Sequence, residues 1–198
     1  MPPHSALDLA PWESFYVITG SSGAALTGLM FVVVTLAAEG RAADPEGIRA
    51  FATPTVTHFG VVLLIASVLT IPGHTLTSLR WSLVGCLAVG VIFLAIGMRS
   101  MLRPRSYKPV LEDWIFHSVL PSVAYLALMT SVFLLSAHSW AGLYAIAGVV
   151  ILLLFIGIHN AWDAAMWIAL DRPRQQGTDA VSPAPPASPP PQPKPEVA

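Results

Sequence analysis

The chain has 198 residues, 55% of them hydrophobic and only 11% charged, well under the roughly 25% charged residues of an ordinary soluble domain. Ten lysines and arginines against eleven carboxylates leave a formal net charge of -1, which excludes a nucleic-acid binder, because such a protein neutralises phosphates with many cations. The single cysteine, Cys86, excludes an intrachain disulfide and a cysteine-based metal cluster.

With a mean hydropathy of +0.67, the chain reads as an all-α polytopic membrane helix bundle over residues 1–174, followed by a disordered proline-rich tail over 175–198. A helix crossing about 30 Å of hydrocarbon needs roughly 20 apolar residues at about 1.5 Å each. Five segments meet that requirement, and the lipid bilayer is their common partner. Met1 to Trp12 lacks the cationic leader of a signal peptide, so the first apolar segment is expected to be a retained helix.

The first span is expected over Phe15–Ala38. It contains Gly20-Ser21-Ser22-Gly23-Ala24-Ala25 and then Thr27-Gly28, and the pairs Gly20/Ala24 and Ala24/Gly28 have the small-xxx-small spacing at which a second helix packs closely. Ser21, Ser22 and Thr27 also offer hydroxyls to a pore. The second span is expected over Phe51–Ile71, with Thr53-Pro54 as cap and first turn, and with Pro72-Gly73 stopping it. His58 lies about two turns inside.

Trp81–Met101 forms the expected third span, with Cys86, Gly90, Phe93 and Gly97 on one face. Trp114–Ala137 forms the fourth, where His117 sits one turn in and Pro121 cannot donate to the carbonyl of His117. The fifth runs from Trp140 to about Leu170, long enough to emerge from the bilayer, and carries His159, Asn160 and Asp163 near its exit. From Gln175 the sequence QQGTDAVSPAPPASPPPQPKPEVA has almost no large apolar side chain to offset ordering entropy, and its prolines favour extended polyproline II.

The six tryptophans fall near expected helix ends, as in an interfacial belt. Cations are distributed unevenly: Arg41, Arg49, Arg99, Arg103, Arg105, Lys108, Arg172, Arg174 and Lys194 share one side, and Arg80 has the other. That asymmetry implies a chain integral to a cell membrane, with its N-terminus outside and its tail in the cytoplasm.

The ionisable residues inside the spans gather toward the cation-rich side. His58, His117 and His159 come from three helices at similar depth. Asp113/His117 and His159/Asp163 are each four residues apart, so each carboxylate shares a helix face with its imidazole, and Glu39 and Glu112 surround the same level. His58, His117, His159, Asp163 and Asp113 are therefore candidate ligands for a divalent metal such as zinc, whose bound water would support hydrolysis. The same groups could relay protons or bind a permeating ion, or simply hydrogen-bond between helices. Gathering histidine and aspartate from several helices is chemically similar to intramembrane zinc hydrolases of the alkaline-ceramidase type, but no motif is shared and those proteins have more spans. The other readings are a small oligomeric channel or transporter, homo-oligomeric because five helices leave little room for a pore, and an accessory subunit on a larger membrane partner. His74 and His138, near the opposite surface, lack the paired spacing of haem ligands on one helix.

Overall fold

A computed structural model describes residues 8–39, 45–101, 111–137 and 139–179, with side chains described over 8–36, 53, 55–99, 111–112, 114–137 and 139–166. Among these there is no strand. A short 3-10 turn, Ala10–Trp12, leads into α1 (Glu13–Glu39), and α2 (Pro45–Thr70) and α3 (Leu76–Met101) follow. Next comes α4 (Leu111–Trp114), which runs through a π turn at Ile115–Val119 into α5 (Leu120–Ala137). The last element, α6, spans Ser139–Asp179.

Four stretches are long and apolar enough to cross a membrane: Ala10–Leu36, Leu76–Arg99, Ile115–Ala137 and Ser139–Met166. The remaining expected span lies in α2, where the described apolar stretch, Thr55–Thr70, is shorter. The whole of α2 has 26 residues, about 39 Å at 1.5 Å per residue. It is central to the packing, lying against α1, α3 and α6, while α3 and α6 both pack on α5.

Several expected boundaries move. Pro45, rather than Pro54, opens α2, because a proline at the first helical position forgoes an N–H that would have no intrahelical partner; Thr53-Pro54 therefore lies inside the helix. α2 ends at Thr70 before the Pro72-Gly73 turn, in which Gly73 takes a positive φ of 75° that favours glycine. α3 begins at Leu76, five residues before Trp81, because Thr75 caps it: the Ser78 N–H donates to Thr75 Oγ1 at 3.1 Å and the Thr75 N–H donates to Ser78 Oγ at 3.0 Å. That reciprocal cap draws Arg80 and Trp81 into the first turns. α6 runs to Asp179, five residues into the expected tail; residues 180–198 lie outside the described part.

Glycines set the close approaches. A Cβ on Gly20 would stand 2.8 Å from Ala66 Cβ, and one on Gly23 would stand 3.0 Å from the Phe59 carbonyl oxygen. α1 therefore packs on α2 through Gly20 and Gly23. Gly28 has nothing within 4 Å and Ala24 is exposed, so within this chain the Ala24/Gly28 pair is not the contact surface. The pore-lining reading of two hydroxyls is also answered locally: Ser22 and Thr27 donate to the Ile18 and Gly23 carbonyls at 2.8 Å each. Such back-bonding satisfies a hydroxyl where water is scarce.

The sides of the bundle follow from these contacts. Trp12, before α1, packs against Trp140 and Tyr144 at the start of α6, so the two helices start at the same end. Trp12 is buried within this aromatic cluster instead of standing in an outer belt, whereas Trp81, Trp140 and Trp162 are exposed. Toward this aromatic end the core is aliphatic: Ile65, Leu79, Leu83, Leu128, Leu135, Leu143 and Ile146 are completely buried.

Candidate functional site

At the opposite end, where α1 gives way to α2, the interior changes character. Among the described residues, seven polar side chains are buried in the bundle: Thr19, Thr55, His58, His117, Ser118, Ser131 and Asn160. Five of these, Thr55, His58, His117, Ser118 and Asn160, belong to this end, and three helical segments supply them: α2, the π turn and α6. Their placement follows from contacts that fix the register between helices.

His58 projects from α2 toward α5, where its Nδ1 lies 3.2 Å from the Tyr125 hydroxyl. Tyr125 reaches it because Gly90 of α3 leaves room for the phenol; a Cβ there would overlap the ring. Phe59, the next residue of α2, fills the equivalent gap left by Gly157 of α6. Two glycines thus hold the aromatic side chains that bracket His58. The Phe59–Gly157 contact also aligns the antiparallel helices α2 and α6. About one turn further toward this end, on the register that the Phe59–Gly157 contact sets, Thr55 on α2 and Asn160 on α6 are 0% and 1% exposed.

Asn160 is the most telling member. Neither its Oδ1 nor its Nδ2 has a hydrogen-bond partner, and the same is true of His58 Nε2. An unmade hydrogen bond on a buried group costs about 1–3 kcal/mol, and Asn160 carries both a donor and an acceptor in that state. Trp12 Nε1 and the Tyr16 hydroxyl at the aromatic end are also unpaired, but each is one polar atom on a large apolar ring.

His117 enters this interior from the π turn and interacts electrostatically with His58. Pro121 explains that turn: it lacks an N–H and its ring crowds the carbonyl four residues earlier. The chain widens over Ile115–Val119, and the Leu120 N–H donates to the Ile115 carbonyl. Such π turns recur at functional sites. His117 and Ser118, both within it, are buried.

His159 stands apart from this interior pair. Its ring stacks on Phe116 with centroids 3.4 Å apart. Its Nε2 lies 3.1 Å from Asp163 and 3.6 Å from Glu112. These carboxylates are substantially exposed, at 44% and 65% of their side-chain surface, so the trio lies at the rim of the bundle. The expected i,i+4 contact of His159 with Asp163 is present. The side chain of Asp113, like those of Glu39 and His138, lies outside the described part. Among the described residues, no group of three or more His, Cys, Asp or Glu side chains is placed to hold a metal ion.

His58, His117 and His159 are legible in the sequence as candidates, whereas Thr55, Ser118 and Tyr125 are not. Nothing in their spacing distinguishes them from ordinary span residues. Gly90 and Gly157 are the sequence features that make room for Tyr125 and Phe59, but a glycine in a span does not name the side chain that fills its gap.

The fold and its apolar surfaces define a polytopic all-α membrane protein. No family model, curated protein or solved structure matches the chain, so its function is read from these side chains.

Proposed function

We propose that this protein is a small membrane carrier whose loading site is the buried layer of His58, His117, Tyr125 and Asn160, and whose cargo is a proton or a small polar solute moving with one. The buried, unpaired amide of Asn160, about a turn from the level of His58, carries this reading. A guest that donates to Oδ1 and accepts from Nδ2 would satisfy both atoms, and ionisable groups inside membrane bundles commonly mark proton or solute pathways. The exposed His159–Asp163–Glu112 rim supplies an entrance with exchangeable protons. The aliphatic core beyond the layer argues for a loading site served by conformational change, rather than a standing pore.

The cation distribution supports a cytoplasmic location for the loading end, with the N-terminus outside and the proline-rich residues 180–198 as a tail on the cytoplasmic side. In liposomes containing a pH-sensitive dye, full-length protein should dissipate an imposed pH gradient, and His58→Phe and Asn160→Leu should abolish that flux. Flux no greater than in empty liposomes, or undiminished in both variants, would refute the carrier.

A second reading rests on the neighbouring imidazoles of His58 and His117: a divalent ion such as zinc bound between them, with Asp113 or the rim carboxylates completing its ligands. Elemental analysis of the purified protein separates the two. Stoichiometric metal that His117→Ala removes would favour the metal centre.

A further inference from the structure

A groove of about 400 Å³ runs between α3 and α5 at the aromatic end, far from the histidine layer. Its walls are Trp81, Val84, Leu87, Met129, Val132 and Phe133, with Thr77 and Arg80 at its mouth. Its polarity is graded along the helix axis. Thr77 and Arg80 belong to the first turns of α3, which begins at Leu76, whereas Leu87 lies seven residues beyond Arg80, about 10 Å deeper by helical rise.

Arg80 is the sole cation that the sequence assigns to this end. Its Nε is buried without a hydrogen-bond partner, and it forms no ion pair with a described carboxylate. A guanidinium is a planar fork suited to phosphate or carboxylate oxygens. An anion held at Arg80 and Thr77 would therefore continue into an apolar slot deep enough for the upper part of an acyl chain. Trp81 and Phe133 are 72% and 65% exposed, so the slot opens sideways, where bilayer lipid lies.

We propose that this groove is a binding site for an anionic phospholipid, with the headgroup phosphate on Arg80 and Thr77 and one acyl chain between α3 and α5. Charge complementarity selects the headgroup, and the graded lining fixes its direction.

The test uses full-length protein in neutral detergent, titrated with phosphatidylglycerol or with phosphatidylcholine of the same chains, and reads bound lipid by native mass spectrometry. Phosphatidylglycerol should bind at one site at least about tenfold more tightly, a preference worth about 1.4 kcal/mol. Arg80→Gln should remove that preference. Val84→Trp, which fills the slot, should weaken both lipids while the melting temperature stays near that of the parent. Excess inorganic phosphate should not displace the lipid, because the acyl chain contributes much of the affinity. Equal affinities for the two lipids in the parent, an unchanged preference in Arg80→Gln, binding unaffected by Val84→Trp, or displacement by phosphate would each overturn the proposal. Should Arg80→Gln fail to fold, the parent's lipid preference and the Val84→Trp result decide it.

Discussion

The two ends of the bundle are built from the same helices yet obey different rules. Toward the aromatic end, α2, α3, α5 and α6 meet through leucine, isoleucine and valine that are completely buried, and the buried serine and threonine hydroxyls there, Thr19 and Ser131, donate within their own helices, Ser131 to the Ala127 carbonyl at 2.6 Å. Toward the other end, the same helices bury Thr55, His58, His117, Ser118 and Asn160, and some of those atoms remain unpaired. Membrane bundles gain little from hydrophobic sorting between helix and lipid, so close packing and satisfied hydrogen bonds hold them together. The polar end forgoes part of this at Asn160, which is buried with both amide atoms unpaired, and the proposed carrier function assigns that cost to binding.

The comparison breaks most directly at Leu128, which is 0% exposed in the aliphatic half. Leu128→Ala should destabilise the protein by about 2–5 kcal/mol, through lost contacts and a residual cavity. Thermal unfolding in detergent measures it. A change under about 1 kcal/mol would mean that this half is loosely packed and that the contrast between the ends is false.

Asn160→Leu has the opposite sign. It replaces an unpaired amide by an apolar side chain of similar size, so the melting temperature should rise, with a gain of about 1–3 kcal/mol, while the flux expected of the proposed carrier is lost. A fall in stability would show Asn160 to be a structural bond between helices, and the layer would lose its strongest claim to a ligand.

How much of this was legible in the sequence differs between the two ends for a physical reason. Helix-forming apolar runs are set by local composition, so four of the five expected spans, the helix that holds the fifth, the Pro72-Gly73 stop and the overlong last helix could be read directly. Pro121 pointed to trouble in the backbone at His117, and the π turn is the form it takes. The depth of the three histidines was also readable from helical rise, but their directions were not. A shift of one residue turns a side chain by about 100°, enough to send His58 inward and leave His159 stacked on Phe116 at the rim. The partners Tyr125 and Gly90 are 35 residues apart and meet only through tertiary packing. For the same reason the small residues of α1 identified a packing helix but not its packing face, which is Gly20/Gly23 and not Ala24/Gly28.

Tyr125→Phe sharpens the account of the polar end at a smaller scale. It removes one hydroxyl 3.2 Å from His58 Nδ1 and leaves the ring in the gap above Gly90, so stability should fall by only about 0.5–1.5 kcal/mol. If the hydroxyl orients the imidazole for loading, flux should fall more steeply than stability. Equal flux in Tyr125→Phe and parent protein would leave Tyr125 a packing residue, and His58 would be positioned by Phe59 and the helix alone.

The smallest effect is expected at Gly28, and its size tests whether one chain is the whole unit. Gly28 touches nothing within 4 Å, and Leu29, Phe31 and Val32 around it are exposed, so Gly28→Leu has room for its side chain and should alter the stability of a single copy by no more than about 0.5 kcal/mol. Gly20→Leu makes the contrast, since its Cβ alone would collide with Ala66 of α2 and α1 would have to move away. If Gly28→Leu leaves both melting temperature and mass in detergent unchanged, the outward face of α1 meets only lipid. If the mass falls to that of a single chain while the melting temperature of that species holds, the Ala24/Gly28 spacing serves a neighbouring chain, because a leucine there can obstruct only a surface that lies outside this bundle.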